Sequence, residues 1–368
     1  MESAPAPETV IAGRPYLYFG GTSYLGLAGH PQVLEAGCES LRRYGVHSAT
    51  SRSRVGTIPP VHEVEALAAQ FFGVERAFYL GSGYLVNHVL VCSLAPEMDA
   101  LVVDRESHYS VLEAVRMADC PVLLFDRHDD STLEQRLGEL RRVLVVADAV
   151  GPTRGDLAPV GAYLERLKGR ERSVLLLDDA HGFGVLGDRG RGLLEHLGLW
   201  RHVNGGEPWN GVELAVGGTL AKALGGFGGI IPGTGDFVEE AKQSSHCFDG
   251  ASAPAAAVAG SSARALRLVM EQPQLRSRVL ANSRYLRAGL RDLGFDVSEE
   301  LTAHFGVSFG SAEEMKQVHE ALLQRGIYLP FIGAYSGSPE GGLLRVAVFA
   351  NHTLEHLDRL LDEIKRLL

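Results

Sequence analysis

The stretch "SVLLLDDAHGFGVLG", Ser173 to Gly187, decides how this chain is read. An aliphatic run ends in two adjacent acids, a histidine follows, and glycines loosen what comes next. A continuous aliphatic run of this length reads as a strand buried on both faces, which is the habit of parallel sheets. A carboxylate at the end of such a strand costs free energy unless a cation or a strong donor meets it. Asp178 is that acid, with His181 three residues on. A protonated ring nitrogen would satisfy it. Taken alone, the stretch is explained equally well by a structural Asp178 beside an Asp179 that caps the following turn.

Working outward, the same pattern repeats. "RAFYLG", "DALVVD", "PVLLFD" and "VLVVAD" read as strands. "NHVLVCSLA", "SVLEAVRMA", "STLEQRLGELRR" and "VGAYLERLKG" between them read as helices. Alternation of this kind predicts a largely parallel sheet covered on both faces, with ligands bound beyond the C-terminal strand ends. Asp104, Asp148 and Asp178 each fall at such an end. Before this region, "HPQVLEAGCESLRRYG" predicts an amphipathic helix with Val33, Leu34, Cys38 and Leu41 on its apolar face, and residues 1–12 read as a loose lead. From about residue 274 the pattern changes. A long helix, strands "FDVSE", "GVSFG", "IYLPFI" and "GLLRVAVF", and two further helices predict a smaller α+β unit. The division expected is an N-terminal segment 1–40, a large domain 41–270 and a small domain 271–368.

The 368 residues are 45% hydrophobic and carry a net charge of −10, which is ample for a buried core and a poor surface for nucleic acid or anionic membrane. No apolar run approaches the ~20 residues of a membrane span. The four cysteines show no zinc spacing and predict buried free thiols in a cytoplasmic protein.

Four further motifs carry chemistry. In "TLAKALGGFGG", Thr219 to Gly229, a lysine stands among small residues and glycines. Poor in charged company and desolvated, Lys222 has its pKa pushed down and becomes a usable nucleophile, whereas most lysines are solvated surface charges. In "YLGSGYLVN" a Gly-Ser-Gly turn opens a helix, so Ser82, Gly83 and Tyr84 can offer backbone N–H groups to a phosphate. The turn lacks the third glycine of a dinucleotide-binding fingerprint. In "DRESHYSV", His108 is a solvated loop residue or a flat ring stacked on a cofactor. A phosphate turn, a flat histidine, a strand-end acid and a desolvated lysine in this order point to pyridoxal phosphate, whose ring needs a facing acid to serve as an electron sink.

With "SYLGLAGHP", "SRSRVGTIPPVHEVEALAAQFFG", "GDLAPV" and "LLRVAVFANHTLEHLDRLLDEI" in the same order, nearly the whole chain resembles the α-oxoamine synthase family of fold-type-I pyridoxal-phosphate enzymes. The resemblance implies a seven-stranded, mostly parallel sheet domain with helices on both faces and a smaller C-terminal domain. It implies a C-acyltransferase that joins an amino-acid α-carbon to an acyl thioester, with decarboxylation, as a homodimer with its site at the interface. Lys222 resembles the Schiff-base lysine, Asp178 the acid facing the ring nitrogen, His181 the residue near the ring hydroxyl and His108 the stacking residue. Ser82, Gly83, Tyr84 and Thr219 fall where the family holds the phosphate, and Arg345 where it grips the substrate carboxylate. The chain departs from the family at Thr22 and Ser23, at "HSATSR", at Pro152 and at Ala221. These departures lie in the substrate shell and keep open another electrophile, retro-aldol cleavage or transamination. A non-catalytic partner subunit would have lost the lysine.

Overall fold

The computed structural model describes residues 1–367. Strands β1 (Glu8–Ile11) and β2 (Arg14–Tyr18) and helices α1 (Pro31–Tyr44) and α2 (Pro59–Phe72) come first. The alternation follows as β3 (Arg76–Leu80), α3 (Tyr84–Leu94), β4 (Ala100–Asp104), α4 (Tyr109–Ala114), β5 (Val122–Phe125), α5 (Asp130–Leu137), β6 (Arg142–Asp148), α6 (Val160–Leu167) and β7 (Arg172–Asp178). Then come α7 (Leu193–His196), β8 (Val212–Thr219), β9 (Gly229–Gly233), α8 (Gly235–Gln243), α9 (Ala256–Glu271) and α10 (Gln274–Asp292). The chain closes with β10 (His304–Val307), α11 (Ala312–Gln324), β11 (Ile327–Tyr328), β12 (Phe331–Ile332), β13 (Leu343–Ala347) and α12 (Leu354–Leu367).

Seven strands form the large sheet in the order β3-β9-β8-β7-β6-β4-β5. All neighbours are parallel except β9, which runs antiparallel to β3 and β8. Period-two alternation within the aliphatic runs feeds both faces. Val143, Val145, Leu175 and Leu177 enter one core, and Leu144, Val146, Val174 and Leu176 enter the other. The register sets Asp148 opposite Asp178, and Asp178 opposite Gly217. Two carboxylates therefore leave the sheet at the same height, at its C-terminal edge. Helix α3 lies so close on β8 that a Cβ at Gly217 would stand 2.3 Å from a Val86 methyl.

Two three-stranded sheets, β1-β2-β11 and β10-β13-β12, complete the architecture. The first twelve residues are not a loose lead. Strand β1 pairs antiparallel with β2, which in turn pairs parallel with β11. "FDVSE" forms no strand; Phe295 and Val297 are buried, but their backbone has no partner strand. "IYLPFI" splits into β11 and β12, which belong to different sheets. Pro330 lacks an N–H and restricts the residue before it, so the ladder breaks there.

Helix α1 forms as predicted, but of the expected apolar face only Val33 turns inward. It buries Val33 and Gly37, while Leu34 and Leu41 are 52% and 43% exposed and Cys38 is exposed too. Its contact with α9 runs through small residues: a Cβ at Gly37 would meet the Ser261 hydroxyl at 2.4 Å, and one at Gly260 would meet that of Ser40 at 2.0 Å. Backbone proximity won over side-chain volume. All four cysteines are free, but none is fully buried. No helix among the described residues is long and apolar enough to cross a membrane.

Candidate active site

Strand β7 delivers Asp178 and Asp179 to opposite fates. The Asp178 carboxylate accepts from Asn87 Nδ2 at 2.6 Å and from the Ala180 N–H at 3.0 Å, and lines a cavity at the sheet edge. Asp179 points away, accepts from the Leu193 N–H at 2.6 Å, and is wedged between Gly182 and Gly192. Burial pushes its carboxyl up to about 7. Asp179 therefore fastens the loop after β7, and Asp178 is the acid that faces the cavity.

Lys222 stands in the turn after β8, with Nζ 2.9 Å from His181 Nε2. Burial lowers the amine to about 8, against an opposing pull from Asp178 and Asp148. His181 is held well below its ordinary value, first by burial and then by the charge of Lys222. The ring of His108 is fixed at both nitrogens: Nδ1 is 2.8 Å from the Ser110 hydroxyl, and Nε2 is 3.0 Å from that of Tyr335. Its backbone N–H donates to Asp148 at 2.6 Å. Desolvation lowers the His108 pKa, so the ring is a flat neutral surface.

Across the cavity, the Thr219 hydroxyl donates to the Gly228 carbonyl at 2.8 Å and accepts from the Ala221 N–H at 3.0 Å. A Cβ at Gly83 would stand 2.8 Å from Thr219 Cβ, so the turn at the start of α3 and the end of β8 meet backbone to side chain. Ser82, Gly83, Tyr84 and Thr219 all line the cavity, whose volume is about 280 Å³. A second cavity of about 210 Å³ adjoins it, sharing Thr22, His108, His181 and Lys222 as walls, and Pro152, Ile332, Tyr335 and Arg345 close its far side. Arg345 sits mid-strand on β13 and is held by the carbonyls of Pro152 and Gly21 and by the Tyr24 hydroxyl. Ser23 lines neither cavity; its hydroxyl is buried and has no hydrogen-bond partner among the described residues.

Lys222, Asp178, His108, His181, Ser82, Gly83, Tyr84, Thr219 and Thr22 thus surround one cavity, and Arg345 the one beside it. Sequence reasoning missed Asn87, Tyr24 and His304. Asn87 is fully buried in a mostly apolar helix, and a lone amide among "YLVNHVLV" was the available signal. Tyr24 and His304 are 280 residues apart and meet at 3.1 Å, which no local pattern announces.

This fold and this site place the chain in a family. It belongs to the aminotransferase class I and II family, whose description matches residues 15–364. Among curated proteins, it is 31% identical to the 8-amino-7-oxononanoate synthase of Thermosipho melanesiensis, over 100% of this chain and 92% of that protein. It is 35% identical to the synthase of the same name from Methylococcus capsulatus, over 99% and 92%. Among solved structures, serine palmitoyltransferase from S. paucimobilis superposes with a TM-score of 0.89 at 27% identity, over 100% of this chain and 91% of that one.

Proposed function

We propose that this chain is a pyridoxal-phosphate-dependent C-acyltransferase that condenses an amino-acid α-carbon with an acyl thioester, loses the carboxylate, and yields an α-amino ketone. The observation that carries this reading is the shared wall of the two cavities: a desolvated amine at Lys222 stands between a cavity floored by a buried carboxylate and one closed by a guanidinium. The names of the relatives, a synthase of an amino-oxo acid and a serine palmitoyltransferase, fit the same chemistry.

The residues present fit the cofactor. Gly83 leaves a cradle beside Thr219 that a Cβ would fill, and the helix start behind it suits a phosphate. Asp178 keeps lone pairs free beyond its bonds to Asn87 and Ala180, so it can hold a ring nitrogen protonated. His108, fixed at both nitrogens, offers its face. Lys222 is the covalent anchor. When bound, the protonated ring supplies a sink for the electron pair left on the amino-acid α-carbon. The chain's own residues do the rest. Lys222 at about 8 can take and return a proton near neutral pH. Arg345, already oriented by three acceptors, retains N–H groups for a carboxylate in the second cavity. Pro152, Ile332 and Tyr335 keep that cavity small and mostly apolar.

The test is thiol release from coenzyme A thioesters with a panel of amino acids. Release with at least one pair, dependent on the amino acid, is expected. No release with any pair, in a protein that binds the cofactor, overturns acyl transfer in favour of another electrophile, retro-aldol cleavage or transamination. A protein that binds no cofactor overturns the whole reading.

We infer further that two copies pair at the mouth of the site. Phe227 and Tyr84 line the first cavity yet are 53% and 42% exposed, and Leu85 beside them is exposed as well. Sedimentation is expected to give twice the chain mass, and a monomer at micromolar concentration would overturn the pairing.

A further inference from the structure

Four side chains from distant parts of the chain form an unbroken line behind the cavity. Lys222 Nζ lies 2.9 Å from His181 Nε2, and His181 Nδ1 lies 2.8 Å from the Tyr24 hydroxyl. That hydroxyl lies 3.1 Å from His304 Nδ1, and His304 Nε2 lies 3.0 Å from the Gly151 carbonyl. Tyr24 and His304 are both wholly buried, with rings stacked 5.8 Å apart and 2° from parallel.

The line ends on an atom whose role is fixed, because a backbone carbonyl only accepts. His304 therefore carries its proton on Nε2, and its Nδ1 is a bare acceptor. Tyr24 has one hydroxyl proton, and it goes to that Nδ1. Its oxygen then serves as acceptor, from Arg345 Nη2 at 3.1 Å and from His181. His181 must accordingly carry its proton on Nδ1 and turn a bare Nε2 toward Lys222. Only a doubly protonated ring would escape this logic. Burial and the facing cations Lys222 and Arg345 hold both imidazoles well below their ordinary pKa, so both are neutral.

We propose that Tyr24 and His304 are positioning residues that carry the fixed polarity of the Gly151 carbonyl to His181 and hold it in the Nδ1–H tautomer. The consequence falls on Lys222. Against a bare Nε2 the amine can only donate, so its lone pair is free for an electrophile. The opposite tautomer would donate into that lone pair and occupy it. This inference deepens the role assigned to Lys222, but it concerns the protein's own hydrogen bonds, and its deciding measurement needs no cofactor.

The experiment is imidazole nitrogen NMR on cofactor-free protein labelled with ¹⁵N-histidine, with the His181 signals identified by their loss in His181→Gln. The Nδ1–H tautomer is expected at His181. In Tyr24→Phe, which keeps the ring and removes the hydroxyl, and in His304→Phe, His181 is expected to move toward the Nε2–H form. His304→Asn, whose side-chain carbonyl can take the Tyr24 proton, restores it. Trapping of pyridoxal phosphate on Lys222 by borohydride slows about tenfold in Tyr24→Phe. An Nε2–H form at His181 in the unaltered protein overturns the proposal, as does an unchanged Nδ1–H form in both phenylalanine variants. Even where a variant fails to fold, an Nε2–H form in the spectrum of the unaltered protein overturns the proposal.

Discussion

Lys222→Ala is expected to leave the fold intact, to abolish borohydride fixation of a pyridoxyl group, and to cut turnover by ~1000-fold or more, since covalent anchoring and proton transfer are lost together. The side chain projects into a cavity, so its removal opens no gap in the core. The intact protein should also show a characteristic pH dependence. An amine attacks only when neutral, and an ordinary lysine is neutral only above ~10.4. Burial brings Lys222 down to about 8, so trapping should rise with pH, reach half its maximum near 8 and level off above about 9. A rise that continues toward pH 10 would show a solvated lysine and refute the reading of this residue.

Arg127→Met should produce the largest loss of stability, and it acts from outside the cavity. Arg127 is buried and donates to Asp104, which ends β4 with no solvent contact. The guanidinium lies 2.6 Å from the Asp104 carboxylate, 3.2 Å from that of Asp156 and 2.9 Å from the Asp148 carbonyl. Burial already raises the Asp104 pKa, and Arg127 is what opposes that rise. Methionine keeps most of the volume but leaves a buried carboxylate unpaired, which costs about 3–5 kcal/mol. Denaturant midpoints measure the loss. Without Arg127 the folded-state pKa of Asp104 lies above its unfolded value. The folded state then binds the extra proton, and the deficit shrinks as pH falls through that raised value. Asp104→Asn in the Arg127→Met background should recover much of the loss at neutral pH. If Arg127→Met costs less than about 1 kcal/mol, the pair is not what holds the strand ends together. The effect reaches the site through Asp148, whose carboxylate fixes the backbone of His108.

Much of this was legible in the chain itself. The strands from Ala100 to Asp178 came through because each is an apolar run closed by an aspartate, the pattern of a two-sided parallel sheet. Lys222 and Asp178 could be picked out because each sets a costly group among apolar or small neighbours. The face of α1 could not be read in the same way. Hydrophobic periodicity favoured Leu34 and Leu41, but contact with α9 is decided by how closely two backbones approach, which Gly37 and Gly260 permit. The strand at "FDVSE" was misread because an apolar alternation shows burial and says nothing about whether a partner strand is at hand.

What the sequence alone determined is the list of costly groups: an acid closing an aliphatic strand, a lysine without charged neighbours, a glycine turn before a helix. Each is local, because desolvation depends on immediate neighbours. What only the tertiary structure decided is which atoms those groups face. The line from Lys222 through His181 and Tyr24 to His304 joins residues up to 280 positions apart. Its proton positions follow from a single backbone carbonyl at Gly151. Hydrogen bonds are directional and short-ranged, so their pattern exists only once the sheets have brought the donors and acceptors within about 3 Å of one another.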